Sequence, residues 1–393
     1  MLPGTVAANI MEIFTLKQLP VLSTLAREYA VCDYWFSSVP TMTLPNRAFA
    51  SAGSCQGQMF DEKDSKHTGC YIEVPSKPKK PGVASIFGML EACGKHWRMY
   101  HGGGTCQAVT MFADTMKSQG EGKKNKPLGV QHSTDSRKLA ANLEQDVRSN
   151  DLPEYTFIEP DFGIHGNCQH PNYNVDRGEL LIKAVYDALR SDPEVWKQTL
   201  FIITYDEHGG CYDHVWPWPH PQLKPPNDGY TDLSTKHQPF DFTRFGVRVP
   251  AVLVSPLIEP RTVCRQFDNG NPPFDHTSIL RTIEDQWHLP PLTERDAAAS
   301  SVGHVLTRDP SNARTDNPLQ TVVVPSAPDC HPGATGLSHL QQVHAEYIAQ
   351  LPIPDRLGNT HHVMPALQTE DEYNEYIRLR MAQWEANQRS LVP

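Results

Sequence analysis

An α/β architecture is what this 393-residue sequence predicts, and three observations carry the reading. Strand-like apolar runs alternate with helix-like segments, the pattern of sheets covered by helices. Two of those runs, residues 200–205 and 249–254, are short and bounded by turn residues, like strands buried on both faces of a parallel sheet. The composition is 39% hydrophobic and 20% charged, with a net charge of 35 − 45 = −10, a globular balance rather than a disordered or fibrous one.

The elements follow in order. Leu19, Leu22 and Leu25 repeat at helical spacing after Thr15, a residue suited to capping. Pro20 falls in the first turn, where its missing N–H costs least. Residues 30–36 read as a strand. Ile86, Leu90 and Cys93 share a helix face that stops at Gly94. Leu139, Leu143 and Val147 mark another helix after Asp135 and Ser136, and Tyr155–Glu159 reads as a strand. Leu181, Val185 and Leu189 give a helix ending before Pro193, and Thr277 opens one running to about Trp287. Tyr373, Ile377, Met381 and Trp384 form a stripe on a C-terminal helix, read as packing surface. Residues 56–82, 115–133 and 216–245 show no period and read as loops that shape a site or move. The expected organisation is a main domain at 1–295, an irregular connector at 296–335 and a C-terminal helical segment at 336–393.

Charge and cysteine content narrow the function. The acidic balance argues against nucleic acid, and the one basic cluster, Lys123, Lys124 and Lys126, reads as a solvated loop. No apolar run reaches the roughly 18 residues of a membrane-spanning helix. Nine cysteines, with no C-x-x-C, exclude zinc-ribbon spacing; disulfides are compatible with a secreted copy but not demanded. Residues 1–15 lack a signal peptide's basic and apolar regions, so the chain as written reads as cytoplasmic, with secretion open if the N-terminus is incomplete.

Four segments carry candidate chemistry. In the first, the strand at 200–205 runs into Asp206, Glu207, His208, Gly209 and Gly210. Adjacent carboxylates at a strand's carboxyl end are costly to bury unless a cation neutralises them, and a divalent metal accepts such ligands. A solvated acidic turn is the alternative. The second is Thr43-Leu44-Pro45-Asn46-Arg47 at a helix start, where free N–H groups suit a phosphate. A Thr43 hydroxyl would need a base or metal to act as nucleophile, and Asn46 and Arg47 can donate to phosphoryl oxygens. An ordinary cap is the alternative. The third runs from Ile158-Glu159-Pro160-Asp161 to His170-Pro171, and the fourth is Asp275-His276-Thr277-Ser278 at another helix start. A histidine at either place can protonate a leaving alkoxide, or simply cap or face solvent.

Taken together, in this order and spacing, these segments resemble the phosphoesterase family of bacterial phosphatidylcholine-type and plant non-specific phospholipases C and a group of acid phosphatases. The likeness runs from Gln18-Leu19-Pro20-Val21 through Trp35 to Arg47, then through Glu159-Pro160, Tyr205 to Val215 and Gly246 to Pro250, ending at Leu280. It implies an alkaline-phosphatase-like fold, with a mostly parallel central sheet and helices on both faces. It also implies Thr43 as nucleophile, Asp206 and Glu207 as ligands of a divalent metal, and His170 and His276 on the phosphoryl or leaving group. Asn46, Arg47 and His208 are then substrate-binding, with His101 and His214 as further candidates. Two departures stand out. The upstream Glu-Asn-x-Ser-Phe-Asp-like motif that completes the family's metal site is not found, so the chain reads as N-terminally incomplete. Thr41-Met42 replaces a common Gly-Pro.

The expected function is metal-assisted phosphoester hydrolysis, with a glycerophospholipid as substrate and peripheral membrane contact. Acid phosphatase activity, and a phosphate- or lipid-binding descendant without turnover, are the alternatives. Trp216, Trp218, Tyr230 and Phe240 could seat a quaternary ammonium, or form an ordinary proline-rich loop.

Overall fold

A computed structural model describes residues 6–61, 71–103, 106–117, 126–129, 136–171, 173–217, 225–233, 239–266, 271–329, 333–354, 360 and 362–390. The strands are β1 Ala30–Cys32, β2 Trp35–Phe36, β3 Trp97–His101, β4 Lys126–Gly129, β5 Tyr155–Glu159, β6 Phe201–Thr204, β7 Ala251–Val254, β8 Thr262–Cys264 and β9 Phe274–Asp275. The first seven helices are α1 Ala7–Ile10, α2 Pro20–Glu28, α3 Thr43–Ala52, α4 Ile86–Ala92, α5 Gln107–Met111, α6 Ala113–Lys117 and α7 Ser136–Arg148. The remainder are α8 Val175–Leu189, α9 Pro193–Trp196, α10 Thr277–Trp287, α11 Glu294–Ala297, α12 His339–Ala349 and α13 Glu370–Ser390.

The fold is mixed α/β. One sheet has the order β6-β7-β1-β8, a second β4-β3-β5, and β2 pairs with β9. The β4-β3-β5 sheet is parallel throughout, as are β1 with β8 and β2 with β9. β7, however, runs antiparallel to both β6 and β1. That corrects the expectation that 200–205 and 249–254 lie in a parallel sheet. Both are short apolar runs, but pairing direction depends on how the long connection between them returns the chain, which no local pattern records. The strand expected at 30–36 is broken at Asp33-Tyr34, so that β1 and β2 join different sheets.

Helix positions follow the apolar spacing. α2 starts with Pro20 at its first position, and its N–H groups at Val21 and Leu22 donate to the buried carboxylate of Glu179 on α8, at 2.5 and 3.1 Å. A carboxylate there satisfies donors that have no partner within the helix and suits the helix dipole. The stripe Tyr373, Ile377, Met381 and Trp384 on α13 is buried and joins the core cluster containing Phe49, Phe87 and Trp97. A second cluster gathers Val21, Leu25, Leu143, Val185 and Val252 around the β6-β7-β1-β8 sheet. Among the described residues no helix is long and apolar enough to cross a membrane.

Candidate active site

Ligands of α/β sheets bind beyond the carboxyl ends of strands. β5 ends on Glu159, β6 ends two residues before Asp206, and β9 ends one residue before His276. The turn carrying Thr43 enters the same region through its contacts.

Thr43 is the first residue of α3 and is buried. The next N–H, at Leu44, donates to Asp61 Oδ1 at 2.7 Å, so a carboxylate already occupies one of the donors the sequence offered to a phosphate. Burial pushes the Asp61 carboxyl up to about 7; the negative charges of Asp206 and Glu207 add to the rise, while the Leu44 N–H and Arg47 oppose it. Asp61 therefore places the start of α3 within electrostatic range of the acidic doublet. Asn46, fully buried, accepts the Val39 N–H at 3.0 Å, and its amide group donates to the carbonyls of Val39, Thr41 and Met42. It clamps the turn before the helix. One helical turn on from Thr43, Arg47 donates to Gln107 Oε1 at 3.0 Å and to the buried Glu159 carboxylate, and its guanidinium lies over Phe162 at 5.2 Å. Glu159 also accepts the N–H groups of Gln107 and Ala108 at 2.6 and 3.0 Å.

The acidic loop is shaped by its glycines. Gly209 and Gly210 have φ of +64° and +77°, a conformation in which a Cβ is strained, and a Cβ on Gly209 would lie 2.8 Å from Pro171 Cγ. This close approach sets the loop against the segment carrying His170. The Gly209 N–H donates to Glu207 Oε2 at 2.6 Å. Burial and the neighbouring Asp206 charge raise the pKa of Glu207, while His208 and His170 oppose the rise. His276 Nε2 is 2.7 Å from the Asp206 carbonyl, and Trp35 Nε1 donates to His276 Nδ1 at 3.4 Å. The carbonyl accepts, so Nε2 carries the proton, and burial keeps the ring neutral by lowering its pKa. Both ring nitrogens thus face protein groups. His208 Nδ1 pairs with the Cys211 carbonyl at 2.7 Å. His101 Nδ1 pairs with the Gly103 carbonyl at 2.9 Å, and His214 is exposed beside Asp213.

Thr43, Arg47, Asp206, Glu207, His170 and His276 are accordingly linked by contacts or by charge, while Asn46 is engaged with backbone. Asp206 and Glu207 are adjacent carboxylates, and among the described residues no three His, Cys, Asp or Glu side chains are grouped to hold a metal ion. The described donors fall short of a complete metal site. In the aromatic loop, Trp216 is exposed, whereas the Phe240 ring packs on Phe242 at 5.1 Å and under Arg244 at 5.4 Å. Trp218 lies outside the described residues.

Asp61, Gln107 and Glu159 belong to this frame without having been expected in it. Glu159 had a signal, a carboxylate at a strand's carboxyl end like Asp206. Asp61 sits in a stretch without period and had none.

The class defined by this frame is an α/β protein with an acidic site beyond its strand ends. The model of the Phosphoesterase family matches residues 3–290, and the chain belongs to that family. It is 33% identical over 329 residues to non-specific phospholipase C3 of Arabidopsis thaliana, a match covering 81% of this chain and 56% of that protein. To phospholipase C B of Mycobacterium tuberculosis it is 28% identical over 347 residues, covering 82% and 62%. The chain thus spans little more than half the length of the curated relatives it matches. Among solved structures, the lipoteichoic acid synthase LtaP from Listeria monocytogenes aligns over 94% of this chain and 86% of its own, with 11% identity and a TM-score of 0.36.

Proposed function

We propose that the chain hydrolyses phosphoester bonds, with a glycerophospholipid as substrate in the manner of a phospholipase C. One observation carries the reading: the Thr43 hydroxyl opens a helix whose first turn is tied by Asp61 to the field of Asp206 and Glu207, with Arg47 one turn along. In this reading Thr43 Oγ attacks phosphorus, its proton passing to the acidic cluster, and the bond from phosphorus to the leaving oxygen breaks. Arg47 steadies negative charge on the phosphoryl oxygens. His170 protonates the departing alkoxide, and water then cleaves the phosphothreonine. His276, with both nitrogens engaged, is a positioning residue for the Asp206 loop, and Asn46 positions the Thr43 turn. A divalent cation belongs to the reading through the family likeness: Asp206 and Glu207 would hold it, and it would offset negative charge on the phosphoryl group.

The wider alkaline-phosphatase-like architecture, peripheral contact of the exposed Trp216 loop with a membrane, and a secreted or cytoplasmic location belong to the same proposal. Two carboxylates without a third ligand among the described residues favour a second reading, a phosphate- or lipid-binding protein without turnover. Hydrolysis of phosphatidylcholine vesicles and of p-nitrophenyl phosphate, each with and without added divalent cations, separates the readings. Release of phosphocholine supports the first, release of p-nitrophenol alone supports an acid phosphatase, and binding without release of either supports the second.

A further inference from the structure

On the sheet edge away from the acidic loop, Cys32 of β1 stands opposite Cys264 of β8 in a parallel pair. Adjacent strands lie about 4.8 Å apart, and paired residues place their side chains on one face. A disulfide needs Cα atoms within about 4.4–6.8 Å, so this register is compatible with a bridge between the two strands. Both thiols are free and buried. β8 is the outer strand of its sheet, and Cys264 lies under His304, whose Nε2 is 3.5 Å from Sγ. His304 is itself exposed at the surface. Its ring stacks on Phe274 at 6.2 Å with a 10° tilt, and its Nδ1–H donates to the Ser301 carbonyl at 3.1 Å, which leaves Nε2 to accept from Cys264.

We propose that Cys264 is a hydroperoxide-reactive thiol, with His304 as its base and Cys32 as its resolving partner. The Cys264 thiolate attacks the terminal oxygen of a hydroperoxide. The O–O bond breaks, Cys264 becomes a sulfenic acid, and the departing oxygen takes its proton from the His304 imidazolium. Cys32 then attacks the Cys264 sulfur. The S–O bond breaks, hydroxide leaves with the Cys32 proton as water, and an S–S bond joins β1 to β8. Two thiols lose two electrons and the peroxide gains them.

Electrostatics agrees with this division of roles. The neighbouring Cys32 thiol and then His304 hold the Cys264 thiol below its ordinary range, against the opposing effect of burial. Cys32 is pushed up by the neighbouring Cys264 and by burial, as suits the partner that keeps its proton until the second step. The charge acting against the thiolate is Asp33, and Arg265 donates to that carboxylate at 3.0 Å.

The test uses the full wild-type chain. After brief treatment with hydrogen peroxide, remaining thiols are blocked with iodoacetamide and the protein is digested without reductant for mass spectrometry. A peptide linking Cys32 to Cys264 is expected before Cys211, the exposed cysteine among the described residues, is modified. Oxidation of Cys211 first, with Cys32 and Cys264 both still alkylated, overturns the proposal. In Cys32→Ser, peroxide in the presence of dimedone should label Cys264, and the lack of a label refutes the sulfenic step. In His304→Gln, alkylation of Cys264 at neutral pH should slow by roughly tenfold or more, since the thiolate is the reactive form. An unchanged rate removes His304 from the account.

Discussion

Replacing Arg295 by Met tests how the turn before Thr43 is held. Arg295 is completely enclosed. Its guanidinium donates to the Phe242 carbonyl at 2.9 Å, the Ser38 carbonyl at 2.5 Å and the Asp275 carboxylate at 3.4 Å, and it lies over Phe49 and Phe245 at 4.8 and 5.3 Å. Asp275 also accepts from the hydroxyls of Ser38 and Thr277 at 2.8 and 2.5 Å. Met fills much of the same space but leaves Asp275 as a buried carboxylate without its cation and two carbonyls without donors. Removing one member of a buried ion pair costs about 3–5 kcal/mol. The loss should appear in urea unfolding as a lower midpoint at unchanged m-value. Arg295→Met combined with Asp275→Asn should recover part of it, because the neutral amide no longer needs the cation. Since Ser38 precedes the clamp made by Asn46, turnover should fall along with stability. A stability loss below about 1 kcal/mol, or strict additivity in the double variant, would refute the view that this ion pair holds the turn.

Other perturbations follow from the same contacts. Glu179→Ala leaves the Val21 and Leu22 N–H groups buried without an acceptor and should cost about 2–3 kcal/mol in the same unfolding assay, with Glu179→Gln losing less; equal losses in both variants would contradict the cap. His344, between the Thr110 hydroxyl at 2.7 Å and the Tyr373 hydroxyl at 2.6 Å, is held neutral down to about 3, by burial first and Arg47 second. An unfolded histidine titrates near ~6.5, so below that pH the unfolded chain gains a proton the native chain refuses, and stability falls as pH drops toward about 3. His344→Gln cannot titrate and should show a shallower decline between pH ~6.5 and ~4 in calorimetric melts; parallel slopes would rule out a neutral buried ring.

Much of the frame was legible in the sequence because it rests on short-range periodicity. Leu139, Leu143 and Val147 mark a helix whether or not its partners are known, and α10 and β5 appear with the predicted bounds. Sheet direction was not legible: β7 reads the same in either orientation, and only its register with β1 and β6 fixes it. For the candidate site, residue types announced themselves where chemistry demanded an unusual pattern, as in the carboxylates beside Gly209-Gly210. Their partners did not. Arg47 meets Glu159 across 112 positions and His276 meets the Asp206 carbonyl across 70, so whether each side chain faces a substrate or the protein is decided by the fold alone. Asn46 shows the consequence, a polar side chain suited to phosphate that instead shapes the turn.

Acid-quenching the protein during turnover of a chromogenic phosphoester, then mapping its peptides by mass, gives the most direct reading of the proposed chemistry. One phosphoryl group on Thr43, lost on longer incubation and missing from an inactive Thr43→Ala variant, is the predicted result. Undiminished turnover by Thr43→Ala, with no phosphorylated peptide in the wild-type protein, would contradict it.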